Sequence, residues 1–225
     1  DGSMNCFRDC YFTRPKDRGI TSIGTACQGM VVDRCEFLSN EMSTLSQNRT
    51  SVAINVNAND TKIRHNRFVR FGHFMVAAGG GHMIDNNHWF QGDKSLTNKI
   101  TRIDRVDTTF ANLDYGRMRN IQFQGNMFNG VNTYVANPVD ITFTQATASN
   151  RWLVNVDTSL PFNGYAKKVE AVVATSAITN AANARVTEMP WVQPSVGTTR
   201  KQVALNWGAA TKGSIALRVR MDDPL

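Results

Sequence analysis

The sequence predicts an all-β chain: a right-handed parallel β-helix of about five coils over residues 1–135, then a small antiparallel β-sandwich over 136–225. Three observations carry this expectation. A six-residue signature recurs through the first part of the chain. The stretches between its copies read as strands and turns, with no helical period sustained over three turns. After residue 130 the signature disappears and alternating strands take its place.

The signature is an apolar residue, two variable residues, Asn or Cys, one variable residue, then an aromatic. It occurs as FRDCYF (7–12), VDRCEF (32–37), IRHNRF (63–68), IDNNHW (84–89) and FQGNMF (123–128). The offsets of 25, 31, 21 and 39 residues are unequal. A fixed local signature at unequal spacing predicts coils of a solenoid with connections of variable length. GITSIGTA (19–26), SVAINVNAND (51–60) and GHFMVAAGGG (72–81) each read as a strand running into a turn. Strands returning without intervening helices exclude α/β units and predict coils stacked about 4.8 Å apart.

After residue 130, six strands are expected: 137–145, 151–157, 167–175, 185–192, 201–209 and 213–221, linked by Asn, Gly, Pro and Ser turns and by Ala-Thr-Lys-Gly. The boundary is placed between Thr133 and Pro138, and the sandwich is expected to cap the last coil. Trp152, Trp191 and Trp207 are read as core or interface residues.

The apolar fraction of 41% fits a folded domain with a sizeable core. A net charge of +7 and a pI near 9.5 favour an anionic partner, nucleic acid or acidic polysaccharide. No apolar run approaches the roughly 20 residues of a membrane helix, so no membrane insertion is expected. Asp1 opens the chain with neither an initiator Met nor a signal-peptide pattern, and the chain reads as the C-terminal portion of a longer protein. Cys6, Cys10, Cys27 and Cys35 lack paired zinc spacing and read as free, mostly buried thiols. His65, His73, His82 and His88 lack zinc-enzyme spacing, so no metal and no cofactor are expected.

The I-x-x-N-x-F hexamer resembles the coil signature of pectate-lyase-like right-handed β-helices, a group that includes polysaccharide lyases, glycoside hydrolase family 28-related enzymes and phage tailspikes. The likeness covers about residues 4–135. It implies that the apolar and aromatic positions point inward and that the Asn side chains bond along the solenoid. The ladder would then run Cys10, Cys35, Asn66, Asn87, Asn126, beside an aromatic stack of Phe12, Phe37, Phe68, Trp89 and Phe128.

Stacking the copies also aligns their charged residues. The second position reads Arg8, Asp33, Arg64, Asp85, Gln124; the third Asp9, Arg34, His65, Asn86, Gly125; the fifth Tyr11, Glu36, Arg67, His88, Met127. Alternating sign at such spacing is attractive, so Arg64 and Arg67 are expected to answer Asp33, Asp85 and Glu36. That use of the arginines weighs against nucleic acid as the partner.

The group's chemistry, aspartate hydrolysis or base-catalysed elimination of a uronate, makes Asp33, Asp85, His88 and Arg64 the catalytic candidates. Arg34, Glu36, His65, Arg67, Arg102 and Tyr115 are the substrate-binding candidates. A salt-bridged solenoid face accounts for the same residues without chemistry, and both readings stand at this point. GGGHMID (79–85) is similar to the Gly-His-Gly element of the hydrolase group but lacks the second glycine after His82. The long connections at 39–51 and 91–116 suit either a groove for an acidic glycan or solvated excursions.

The expectation is therefore a secreted or virion-surface spike that binds, and in its enzymatic form cleaves, an acidic polysaccharide. The alternative is a non-enzymatic structural or adhesin spike segment serving trimer assembly and glycan attachment. The resemblance to phage spikes implies a homotrimer, held mainly by residues 138–225.

Overall fold

The computed structural model describes residues 4–13, 18–22, 28–38, 52–57, 59–69, 73–78, 80–90, 102–106, 119–156 and 158–222. The connection at 39–51 and residues 91–101 and 107–118, with Tyr115, lie outside the described residues. The chain divides into two compact units, one up to Ala136 and one from Asn137.

The first unit is built of short strands in parallel sheets. Each round gives up to three strands: β1 (Cys6–Arg8), β2 (Tyr11–Thr13) and β3 (Arg18–Ser22); β4 (Val31–Asp33), β5 (Glu36–Leu38) and β6 (Val52–Asn57); β7 (Lys62–Arg64), β8 (Arg67–Val69) and β9 (His73–Ala78); β10 (Met83–Asp85), β11 (His88–Phe90) and β12 (Asp104–Val106); then β13 (Gln122–Gln124) and β14 (Met127–Asn129). They assemble as β1-β4-β7-β10-β13, β2-β5-β8-β11-β14 and β3-β6-β9-β12. The register follows the hexamer: Phe7, Val32, Ile63, Ile84 and Phe123 stand opposite one another in turn, as do Arg8, Asp33, Arg64, Asp85 and Gln124.

The physical reason lies in side-chain alternation. The middle residue of each three-residue strand points inward while its neighbours point out. Val32, Ile63, Ile84 and Phe123 are completely buried. On the second sheet, Phe12, Phe37, Phe68, Trp89 and Phe128 stack with successive ring centroids at 4.6, 4.9, 4.8 and 5.5 Å.

The Asn ladder forms between these sheets. Asn66 Oδ1 accepts from the Cys35 amide at 2.8 Å, Asn87 Oδ1 from the Asn66 amide at 3.0 Å, and Asn126 Oδ1 from the Asn87 amide at 3.0 Å. Their Nδ2 groups donate to the carbonyls of Val32, Ile63 and Ile84 in the preceding rounds. The left-handed backbone of each turn falls one residue earlier, at Asp9, Arg34, His65, Asn86 and Gly125, with φ between 52° and 65°.

A second left-handed column opens each first-sheet strand: Met4, Gly29, Asp60, Gly81 and Asn120. Behind it Met30, Thr61, His82 and Ile121 are buried. His82, the histidine of GGGHMID, therefore lies inside the stack as a core residue.

The second unit departs from the sandwich expectation. Its strands are β15 (Val139–Asn155), β16 (Lys168–Ala174), β17 (Thr179–Asn180), β18 (Trp191–Val196) and β19 (Gln202–Arg220), joined in a single antiparallel sheet. β19 pairs with β15 throughout and with β16, β17 and β18 in series. The expected strands 137–145 and 151–157 are one strand, and so are 201–209 and 213–221. The Ala-Thr-Lys-Gly segment is not a chain reversal. It lies where both strands shift register, between Gln145 and Arg151 on β15.

Phe143 and Trp152 share one strand, yet their ring centroids are 6.2 Å apart. Nine residues of straight strand would span about 30 Å, so β15 folds back sharply at the register shift. Trp152 stands at this bend and packs against Trp207 at 4.9 Å. Trp152 and Trp207 are buried core residues, whereas Trp191 is 67% exposed.

Candidate functional site

Strand register and the left-handed turn bring six ionisable residues to one corner of the first unit. Arg8, Asp33 and Arg64 end in-register strands of the first sheet, and Asp9, Arg34 and His65 occupy the turn that follows. At their centre is Asp33, buried at 3% exposure. Its Oδ1 accepts a hydrogen bond from His65 Nδ1 at 3.0 Å. Guanidinium nitrogens of Arg64, Arg8 and Arg34 stand at 3.7, 3.8 and 3.8 Å from its carboxylate. A buried charge is tolerated only when so surrounded.

The hydrogen bond from His65, with the neighbouring Arg64 and Arg34, holds the Asp33 carboxyl below its ordinary range against the opposing effect of burial. Asp9 is likewise lowered by its hydrogen bonds from Arg34, whose Nε and Nη2 donate at 2.8 and 3.0 Å. Arg34 is thus occupied by Asp9. Arg8 and Arg64 approach Asp33 at more than hydrogen-bond distance, and the buried Nε of Arg64 has no hydrogen-bond partner among the described residues.

A folded-state pKa below the unfolded value stabilises the fold above the unfolded pKa, and that stability is lost as pH falls through the folded one. The contribution of Asp33 should therefore be fully present at neutral pH and disappear below about pH 4. Acid-titrated melting of the wild type should show a steeper decline below that point than Asp33→Asn. Parallel curves would remove the electrostatic role assigned to Asp33.

The other sequence-derived candidates fall elsewhere or take other partners. Asp85 stands in register with Arg64, but its Oδ2 accepts from Asn86 at 3.0 Å, and no ion pair joins it to Arg64 among the described residues. Of the two carboxylates expected to answer Arg64 along the column, Asp33 does so and Asp85 does not. His88 lies on the second sheet, in register with Arg67, and tilts against Phe90 at 5.8 Å. The four catalytic candidates thus do not converge: Asp33, Arg64 and Asp85 share a column without His88.

Glu36 and Arg67 form their own pair at 3.1 Å on the second sheet. Arg102 bonds Asp104 at 2.7 Å, its side chain only 16% exposed, which leaves it a structural partner more than a glycan contact. Arg8 and Asp9 were not among the candidates. Their signal was present in the columns, where Arg8 stacks on Asp33 and Asp9 on Arg34.

Cys35 is buried, and burial pushes its thiol up. Its Sγ lies 3.5 Å from the Phe7 carbonyl of the preceding round, the place where Asn66 Nδ2 donates to Val32 one round on. Cys10 is half-buried, Cys6 is exposed, and Cys27 lies outside the described residues. Comparison with protein-family models, with curated proteins and with solved structures found no match.

Proposed function

We propose that the first unit is a right-handed parallel β-helix of the pectate-lyase-like kind, and that it binds an acidic polysaccharide at the Asp33 corner as part of an extracellular or particle-surface spike. The three in-register parallel sheets and the Asn ladder support the architecture. One observation carries the binding: Arg8 and Arg64 flank a carboxylate already satisfied by His65, without hydrogen-bonding it. Their side chains are 55% and 34% exposed. Guanidinium N–H groups held this way are ready to take uronate carboxylates in paired hydrogen bonds.

Immobilised polygalacturonate, alginate and hyaluronate should each be offered to the chain at low salt. At least one should bind, and Arg8→Ala combined with Arg64→Ala should weaken binding roughly tenfold or more, as loss of charged contacts worth about 1.5–3 kcal/mol each implies. Equal binding by the double variant would sink the site.

A spike of this kind is a homotrimer in our reading, with the second unit as the contact. Trp191 and Met189 are 67% and 74% exposed, and aromatic and Met side chains are enriched in interfaces. Light scattering should give a trimer for the wild type and a monomer for Trp191→Arg; a monomeric wild type at micromolar concentration defeats the proposal. The rival reading, a non-enzymatic adhesin segment, draws support from the paired charges Arg67–Glu36 and Arg34–Asp9, which need no substrate.

A further inference from the structure

The ladder changes chemistry at its first two rungs. Asn66, Asn87 and Asn126 are joined side chain to side chain, with Nδ2 donating to the next Oδ1 at 3.0 and 3.1 Å. Cys10 and Cys35 hold the same position in the two rounds before them. Register fixes this placement: Tyr11 stands opposite Glu36 and Phe12 opposite Phe37 in parallel strands. The Glu36 amide donates to the Cys10 carbonyl at 2.9 Å, as the Arg67 amide does to that of Cys35.

A thiol does not reproduce the asparagine bonds. Asn66 Oδ1 accepts from the Cys35 amide at 2.8 Å, whereas sulfur is a weak acceptor and gives the Cys10 amide no equal bond. The ladder's side-chain to amide bonding thus stops at the rung where both residues are cysteines.

Stacked rungs suit a covalent bond instead. Residues opposite one another on neighbouring strands stand about 4.8 Å apart, inside the roughly 4.4–6.8 Å between Cα atoms that a disulfide spans. Side chains at this position meet directly in the later rounds, and the Cys10 and Cys35 thiols likewise interact side chain to side chain. Both thiols are free in this structure. Cys10 is half-buried and Cys35 buried, so an oxidant from solvent meets Cys10 first. Cys6 stands opposite Val31 on the first sheet, off the ladder.

We propose that Cys10 and Cys35 are a disulfide site, at which a small-molecule disulfide such as oxidised glutathione joins the first two rungs into a covalent staple. The Cys10 thiolate attacks one sulfur of the oxidant, whose S–S bond breaks and releases one small thiol. Cys35, as thiolate, then attacks Cys10 Sγ in the mixed disulfide, forming the Cys10–Cys35 bond and releasing the second small thiol. The two protein thiols give up two electrons and two protons, and the two released thiols carry them. The bond closes the whole connection between the first two rounds, which removes freedom from the unfolded chain. An oxidising setting, such as the extracellular one proposed above, preserves it, and its formation does not require a bound glycan.

The test incubates the native full chain with oxidised glutathione, blocks the remaining thiols and identifies tryptic peptides by mass. Cleavage after Arg8, Lys16, Arg18, Arg34 and Arg49 puts Cys6, Cys10, Cys27 and Cys35 on separate peptides, so each pairing has its own mass. Peptide 9–16 should be found linked to peptide 35–49, and reduction should release them. The linked chain should melt roughly 5–10 °C above the reduced one. Cys10→Ser should lose both the link and that rise, and Cys6→Ser should keep both. Free Cys10 and Cys35 after incubation, or linkage of either mainly to Cys6 or Cys27, overturns the site. A link that forms only in urea overturns it as well, because the native stack would then not bring the thiols together. A linked chain that melts no higher than the reduced one overturns the staple.

Discussion

Asn87→Ala should lower the melting temperature of the first unit by roughly 10 °C, the result of losing about 3 kcal/mol. Asn87 is the middle rung of the ladder and is completely buried. Its Oδ1 accepts from both the amide and the Nδ2 of Asn66, each at 3.0 Å. Its Nδ2 donates to the Ile63 carbonyl at 2.9 Å and to Asn126 Oδ1 at 3.1 Å. Alanine leaves the Asn66 amide and the Ile63 carbonyl buried without these partners, and each orphaned group costs about 1–3 kcal/mol. Asn126→Ala is the comparison, because Asn126 is only half-buried and should lose less. Thermal melts followed by far-ultraviolet circular dichroism check both. An Asn87→Ala midpoint equal to wild type would mean the ladder bonds contribute nothing net.

Trp152→Ala should destabilise the second unit by about 3–5 kcal/mol, the range for removing a large aromatic from a packed core. The ring is completely buried beside Trp207 and Phe143. Its Nε1 donates to the carbonyls of Ser149 and Thr211 at 3.1 and 3.0 Å, a cross-strand pair with a register shift on either side of it. Alanine therefore both empties the core and leaves carbonyls at the bend without their donor. Trp152→Phe separates the two contributions: it keeps most of the volume, so its remaining loss measures the hydrogen bonds. Urea unfolding monitored by near-ultraviolet signal provides the readout. An Ala variant within about 1 kcal/mol of wild type would show that the bend does not depend on this side chain.

The hexamer made the first unit legible. Its inward positions, its outward columns and its ladder all follow from one residue pattern, because strand alternation fixes the face of each side chain and equal hexamers can stack only in register. Arg8, Asp33, Arg64 and Asp85 could therefore be aligned before any coordinates. Their preference among partners could not. Asp33 meets His65 across the turn as well as Arg64 along the column, and Asp85 turns to Asn86, choices made by the left-handed turn conformation and by burial around each carboxylate. The second turn column was less visible, since Met4, Gly29, Asp60, Gly81 and Asn120 share a backbone conformation and not a side-chain type. His82, which follows this column, is completely buried.

In the second unit the alternation of apolar residues by itself determined that segments within Val139–Asn155, Lys168–Ala174 and Gln202–Arg220 are strands, whereas the strand expected over 185–192 lies instead at Trp191–Val196. Only the tertiary structure decided where those strands end. Ala-Thr-Lys-Gly has the composition of a turn, yet the partner strand bends at the matching place, and paired backbone groups across the bend outweigh the local preference. The same contest sorted the tryptophans: Trp152 and Trp207 meet across the fold of the sheet, while Trp191 stands on its outer surface. Local pattern specifies which face a residue occupies on its strand; which of the two faces is enclosed depends on how the strand is folded over its neighbours.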